Sequence, residues 1–431
     1  MADEGQDVLR VYIINQFTHW FIVGLIFPVL ILVILDKGLD LMQAGGVMAA
    51  YSAAVILLEL PTGGLSDSLG RKRVYLVSVC INLAAGTVLL LADGFLTVLV
   101  AVILMGTGRA FSSGSMDAWF VDEFKKASPQ GNLQKALARA GIFIPIGIGI
   151  GSLVGGLIPS ASSLWSGALP GLGTYSMNII AMLLMAIVQL ALTSALVRET
   201  VVGGPKGVRS GLSTFPRTVA VSLKHGVRDR LVLSLLLAML TFGMGLSAVE
   251  LLWQPRVVDI MGASSSAWIL GVLAAGYFFS ASVGSLVSPR VCATFKDNYA
   301  KALIALRIFS GGALFLLAMQ GSILGFALFY FLFFLVVGSA ESPHATLYNQ
   351  RVPDEVRSTM LSFQSLLAQA GGLLGTLGMG IIASTFSIGA AWMVTAAALA
   401  LSSGFYAYYL LAKGRESERA QETAKVGGVA Q

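Results

Sequence analysis

Six ionisable residues stand inside stretches that are otherwise apolar. They are Glu59, Asp117, Glu250 and Glu341, with Arg109 and Arg307. A charge at the centre of a bilayer costs about 3 kcal/mol on insertion scales, so each such residue needs a partner or a task. A desolvated carboxyl holds its proton more readily than one in water. Acids in these places can therefore take up and release protons, or attract a cation. Asp117, Glu341 and Glu59 lie at similar depth, and Asn15, Gln16 and His19 offer them hydrogen bonds from the first apolar stretch. A static pair with Arg109, or such a hydrogen bond alone, is the other reading of these acids.

The two arginines differ in position. Arg109 lies about 13 residues into its stretch, or ~20 Å at 1.5 Å per residue, near the midplane. Arg307 is one or two turns from polar sequence, where its side chain can snorkel to water. Glu250 lies beside Trp253 near the opposite mouth, where water can reach it. Glu341-x-x-His344 has the spacing of one di-iron ligand pair, but such a site needs a second pair and two more glutamates. No second pair is in the sequence, so no metal is expected. His344 reads instead as a cap or a titrating group at the mouth. Cys80 and Cys292 form no spacing pattern. With three histidines and no nucleophile–base or phosphate-loop motif, an integral-membrane enzyme is only a distant alternative.

The elements that must position these groups follow from composition. The chain is 56% hydrophobic and 12% charged, against about 25% charged in soluble domains. Apolar stretches of ~20 residues, each long enough to cross a bilayer as a helix, recur twelve times. They fall at roughly 11–35, 43–65, 74–92, 96–120, 134–158 and 175–197, then 231–252, 267–288, 300–318, 323–345, 359–384 and 386–411, numbered here as spans 1 to 12. The ~10-residue alternation of a membrane β-barrel is absent. The expected fold is an all-α membrane protein with twelve transmembrane helices in two pseudo-symmetric six-helix bundles.

The basic residues fix an orientation. With both termini cytoplasmic, 24 Lys and Arg face inward and only Lys37 and Arg256 face outward, a strong positive-inside bias. The basic pI of about 9.3 thus reflects topology in a cytoplasmic (inner) membrane, and no nucleic-acid partner is expected. The acidic start "MADEGQDVLR" and the long apolar run after it read as a retained span, not a cleaved leader.

The polar stretch from Arg198 to Arg230 divides the chain into residues 1–197, a linker 198–230, and 231–431. "GGPKGVRSG" suits a flexible linker. Phe215, Val219, Leu223 and Val227 recur every four residues among bases, as in an amphipathic helix on an anionic leaflet. The halves also match each other. "GSMD" at Gly114 and "GSAE" at Gly338 are displaced by 224, as are Gly147 and Gly151 from Gly371 and Gly375, while "GGLSD" and "GSLVS" are displaced by 221. Matches in order at nearly one offset point to a duplicated six-helix unit.

Two motifs carry a family resemblance. "GGLSDSLGRKR", after span 2, is similar to the loop signature of the major facilitator superfamily, through Gly63, Leu65, Asp67, Gly70, Arg71 and Lys72. It departs at Ser68, where the family often has arginine. The resemblance implies a gating loop in which Asp67 meets a helix N-terminus of the other half, with Gly70 suiting a tight reversal. "GIGIGSLVGG" in span 5 is similar to the superfamily's antiporter signature through Gly147, Gly151, Gly155 and Gly156, with Ser152 in place of proline. Arg109 resembles the arginine of the family's helix 4 motif, although the following glycine comes one residue late, at Gly114.

The function so implied is secondary active transport by alternating access between the bundles. The chain resembles bacterial drug–proton antiporters that export lipophilic molecules, cationic ones included. A metabolite importer or symporter on the same fold is the alternative. Expected partners are a small-molecule substrate, protons and the bilayer. The expected functional unit is a monomer with no cofactor, driven by the proton gradient.

Overall fold

The computed structural model describes the backbone of residues 2–161, 173–199, 228–262, 267–352 and 357–428. Residues 200–227, which hold most of the expected linker and its amphipathic helix, lie outside the described residues. Among the described residues, twelve helical units are long and apolar enough to cross a membrane. Spans 1 to 6 are Glu4–Ile26, Leu41–Glu59, Arg71–Leu91, Phe95–Ala127, Leu133–Ser160 and Ser176–Leu196. Spans 7 to 12 are Arg230–Met261, Trp268–Thr294, Tyr299–Ala318, Ile323–Arg351, Met360–Thr385 and Ile388–Glu416. The face carrying both termini is called the inner face, and the opposite one the outer face.

Local chemistry sets the helix ends. Asp40 and Gln43 form a reciprocal capping box at span 2. Side chains of Asn132, Asp229, Asn298, Ser322 and Ser387 accept backbone N–H groups at the starts of spans 5, 7, 9, 10 and 12. Each such cap is worth about 1 kcal/mol. Between spans 2 and 3 the reversal turns on Gly70, at φ 98°, where a side chain would be strained.

Four helices are interrupted where the sequence reading ran them straight, among them span 12, which changes helix at Ser402. Span 1 starts earlier than expected, stops at Ile26 and resumes as Leu30–Asp36. Pro28 lies in the gap, and its ring supplies no N–H to the helical ladder. Span 4 breaks between Ser112 and Ser115 at Gly114, φ 69°. Span 5 changes helix at Ile142.

The duplication is visible in packing. Gly147 and Gly151 of span 5 press on the backbone of span 1 at Phe17 and Phe21. Gly371 and Gly375 of span 11 press in the same way on span 7 at Leu240 and Met244. Small residues let membrane helices approach this closely, which replaces the hydrophobic drive that lipid removes. The "GSMD" and "GSAE" pair diverges. Gly114 breaks its helix, whereas Gly338 stays helical against the carbonyl of Ala281 in span 8.

The buried core is shared on one face and divided on the other. Toward the outer face, Val29, Ile31 and Ile34 join Val249, Leu252, Trp253 and Leu270 in one cluster spanning both halves. Toward the inner face two clusters stand apart. One holds Leu9, Tyr12, Tyr75, Trp119 and Phe120 of the first half. The other holds Leu231, Leu235, Leu303, Tyr348 and Tyr406 of the second.

Candidate functional site: a cleft between two bundles

The outer seal is made of close backbone approaches and one amide. Gly45 of span 2 lies against Thr376 and Gly380 of span 11. Gly156 of span 5 lies so near span 8 that an added Cβ would come within 2.5 Å of the Gly271 nitrogen. Beside it the Trp268 N–H donates to Ser160 Oγ at 3.0 Å. Of the four antiporter-like glycines, Gly147, Gly151 and Gly155 therefore pack within their own half on span 1, and Gly156 alone sits on the seam.

Gln254 closes the break in span 1. In an unbroken helix the Ile31 N–H would donate to the Phe27 carbonyl. Here Gln254, from span 7, takes both roles. Its Nε2 donates to Phe27 O at 2.6 Å and its Oε1 accepts from Ile31 N at 3.2 Å. The residue is 2% exposed, so its amide satisfies two backbone groups that are otherwise costly to bury.

On the inner side an open cavity of about 640 Å³ is lined by Ser342, Ala345, Thr346, Asn349 and Gln350 of span 10, with Arg357. This cavity lies on the second half; the outer contacts and the divided inner cores describe a molecule sealed on its outer face and parted on its inner one.

The expected site residues distribute as follows. Asp117, in the first turn of the second half of span 4, accepts from Tyr12 Oη at 2.5 Å and Gln16 Nε2 at 2.7 Å. Asn15 and His19 go elsewhere: Asn15 Nδ2 donates to Thr193 Oγ1 at 2.7 Å, and His19 Nδ1 lies 3.0 Å from Tyr75 Oη. With Gln189 they tie spans 1, 3 and 6 together. Glu59 accepts from Ser113 Oγ at 3.2 Å. Arg109 is exposed, 5.9 Å from the centre of the Trp20 ring. It forms no ion pair with Asp117, because the break at Gly114 turns the helix between them. Glu341 is exposed and makes no hydrogen bond or ion pair among the described residues.

Three readings are corrected. Arg307 does not snorkel. It is 3% exposed, with its guanidinium 4.9 Å from the Phe242 ring and 5.9 Å from Tyr406. Aromatic faces of spans 7 and 12 cover it and offer their π-electrons to its charge. His344 is buried rather than at the mouth, and its Nδ1 lies 2.8 Å from Tyr406 Oη. Glu250 accepts from Tyr277 Oη at 2.8 Å in an aromatic setting, because Tyr277 stacks on Phe278 and Phe334.

The loop after span 2 gains partners that sequence reasoning missed. Glu199 accepts from the backbone N–H groups of Arg71 at 2.7 Å and Lys72 at 3.2 Å, capping span 3. The Arg71 guanidinium meets Asp122 at 2.6 Å, and Lys72 Nζ donates to Ser194 O at 2.8 Å. The loop bases thus join the inner ends of spans 3, 4 and 6. The surroundings of Gly63 and the side chain of Asp67 lie outside the described residues. No group of three or more metal-ligating side chains occurs among the described residues.

The sequence model of the Major Facilitator Superfamily matches residues 12–376. The chain belongs to this superfamily. It is 23% identical over 378 residues to "Uncharacterized MFS-type transporter YxaM" of Bacillus subtilis (strain 168), covering 86% of this chain and 88% of that protein. Its fold is similar to that of the nucleoside transporter NupG, at TM-score 0.75 and 13% identity, over 94% of this chain and 99% of that one. It is also similar to a mutant of the peptide transporter POT in complex with alafosfalin, at TM-score 0.71 and 14% identity, over 93% of each chain. Membership of the superfamily makes the chain a multi-pass secondary transporter of a small molecule.

Proposed function

We propose that this transporter exports a lipophilic small molecule bearing a positive charge in exchange for protons, by alternating access. The observation that carries the proposal is the asymmetry of the cleft: sealed outside by Gly156 and Gln254, open inside where Glu341 stands exposed and unpaired among the described residues. A carboxyl without a fixed partner is free to exchange a proton for a cation as its surroundings change. Asp117, held by two neutral donors, is the second acid on the route. Export is supported by the glycine face of span 5, and cytoplasmic termini in an inner membrane by the 24-to-2 division of bases. One chain supplies both walls of the cleft, which supports a working monomer. No step calls for a cofactor or an enzymatic reaction.

The test is substrate-induced proton flux in proteoliposomes, over a panel of lipophilic cations, neutral drugs and sugars. Proton movement opposite to that of a cation or drug is expected. Co-entry of protons with a sugar would contradict the proposal and establish symport.

A further inference from the structure

Two charges of opposite sign, one from each bundle, stand at similar depth without an ion-pair partner among the described residues. Arg109 lies about 14 residues, or ~21 Å, from the outer end of span 4. Glu250 lies about 11 residues, or ~17 Å, from the outer end of span 7. Tyr51 of span 2 marks the space between them. Gly106, one turn from Arg109, packs on the Tyr51 carbonyl, and the neighbouring Ser52 lies with Ser247, one turn from Glu250, against Gly372; the Tyr51 hydroxyl has no hydrogen-bond partner among the described residues. Glu59 lies two turns further in than Tyr51 and accepts from Ser113.

The surroundings are aromatic and come from both halves. Trp20 lies beside the Arg109 guanidinium. Tyr277 holds one Glu250 oxygen and packs 5.6 Å from Phe27 of the opposite half. Tyr330, 4.9 Å from Phe334 in the same aromatic group, is fully buried, and its hydroxyl has no hydrogen-bond partner among the described residues. A cation alone would gain Glu250 and be repelled by Arg109. An anion alone would meet the reverse. A molecule with both charges satisfies both poles and enters with no net charge, so its desolvation is offset at each end.

We propose that Arg109 and Glu250 are the two poles of a binding site for a small amphoteric substrate, an amine and a carboxylate on an aromatic or aliphatic body. The inference rests on the transport reading and names the substrate class for it. The amine is the positive charge already invoked there, and the carboxylate is new.

Three probes sharing a phenyl body test it: phenylethylamine, phenylpropanoate and phenylalanine. Binding to the purified full-length protein is read by calorimetry. Phenylalanine should bind at least about tenfold more tightly than either single-charge probe, the factor expected of one charge-assisted hydrogen bond. Arg109→Gln should erase the advantage over phenylethylamine only, and Glu250→Gln the advantage over phenylpropanoate only. Opposite losses from two variants cannot come from a general folding defect. Equal binding of phenylalanine and phenylethylamine by the wild type, or no phenylalanine binding, overturns the site while proton-coupled cation export stands. Binding in the predicted order without movement of phenylalanine across proteoliposomes would instead sink the transport reading and leave the site.

Discussion

Gln254→Leu is expected to open the outer face. The leucine fills the space but leaves the Phe27 carbonyl and Ile31 N–H buried without partners whenever that face is shut. A buried unsatisfied backbone group costs about 1–3 kcal/mol. With the face open, water or a restored Ile31–Phe27 backbone bond satisfies both. A difference of about 2 kcal/mol shifts the two states about thirtyfold. The readout is labelling of Thr376→Cys, a site 4% exposed beside Gly45, by an impermeant thiol reagent added outside sealed cells. Labelling should speed up by an order of magnitude in the Gln254→Leu background. Asp297→Cys, in the turn between spans 8 and 9, should stay unlabelled in both. An unchanged rate at Thr376→Cys removes Gln254 from the seal, and labelling at Asp297→Cys reverses the orientation.

Glu341→Gln should abolish uphill transport driven by a pH gradient while leaving downhill counterflow measurable. The side chain is exposed and unpartnered among the described residues, so the amide disturbs no packing and removes only the titrating group. Asp117→Asn should damage both activities. Tyr12 and Gln16 donate to the same carboxylate oxygen, so an amide carbonyl can still meet both, but without the charge these hydrogen bonds weaken, loosening span 1 from span 4. Both assays belong in the same vesicles. Intact accumulation by the Glu341→Gln protein would show that coupling lies elsewhere.

How far the sequence reached differs by level. The twelve spans were legible because ~20-residue apolar windows have few other readings. The duplicated glycines were legible because they pack backbone on backbone, which fixes residue type. Side-chain direction was not. In lipid the outside of a bundle is as apolar as its inside, so depth along span 9 placed Arg307 near the inner face but could not show that it turns inward to Phe242. The same blindness covered the aromatics of span 10, of which Tyr330, Phe333 and Phe334 are fully buried. Long-range polar pairs were also hidden. Pro28 announces a break, yet nothing near it names Gln254 as the group that fills it. Tyr12 was within reach, since it lies one helical turn before Gln16 and shares its face. Glu199 was read as linker because it follows the last apolar residue of span 6, and only the fold returns it to Arg71.

The central claim is that one cleft opens alternately to the two faces, and paired distances test it most directly. One pair of spin labels belongs on the outer seam, at Ala161 and Trp268, beside the Ser160 contact. The other belongs across the inner opening, at Ser113 and Ser342. In the resting protein the outer pair should be close and the inner pair far apart. Substrate with a pH gradient should lengthen the outer distance as the inner one shortens. Distances that lengthen together, or an inner pair already close while the outer seam is shut, would contradict it.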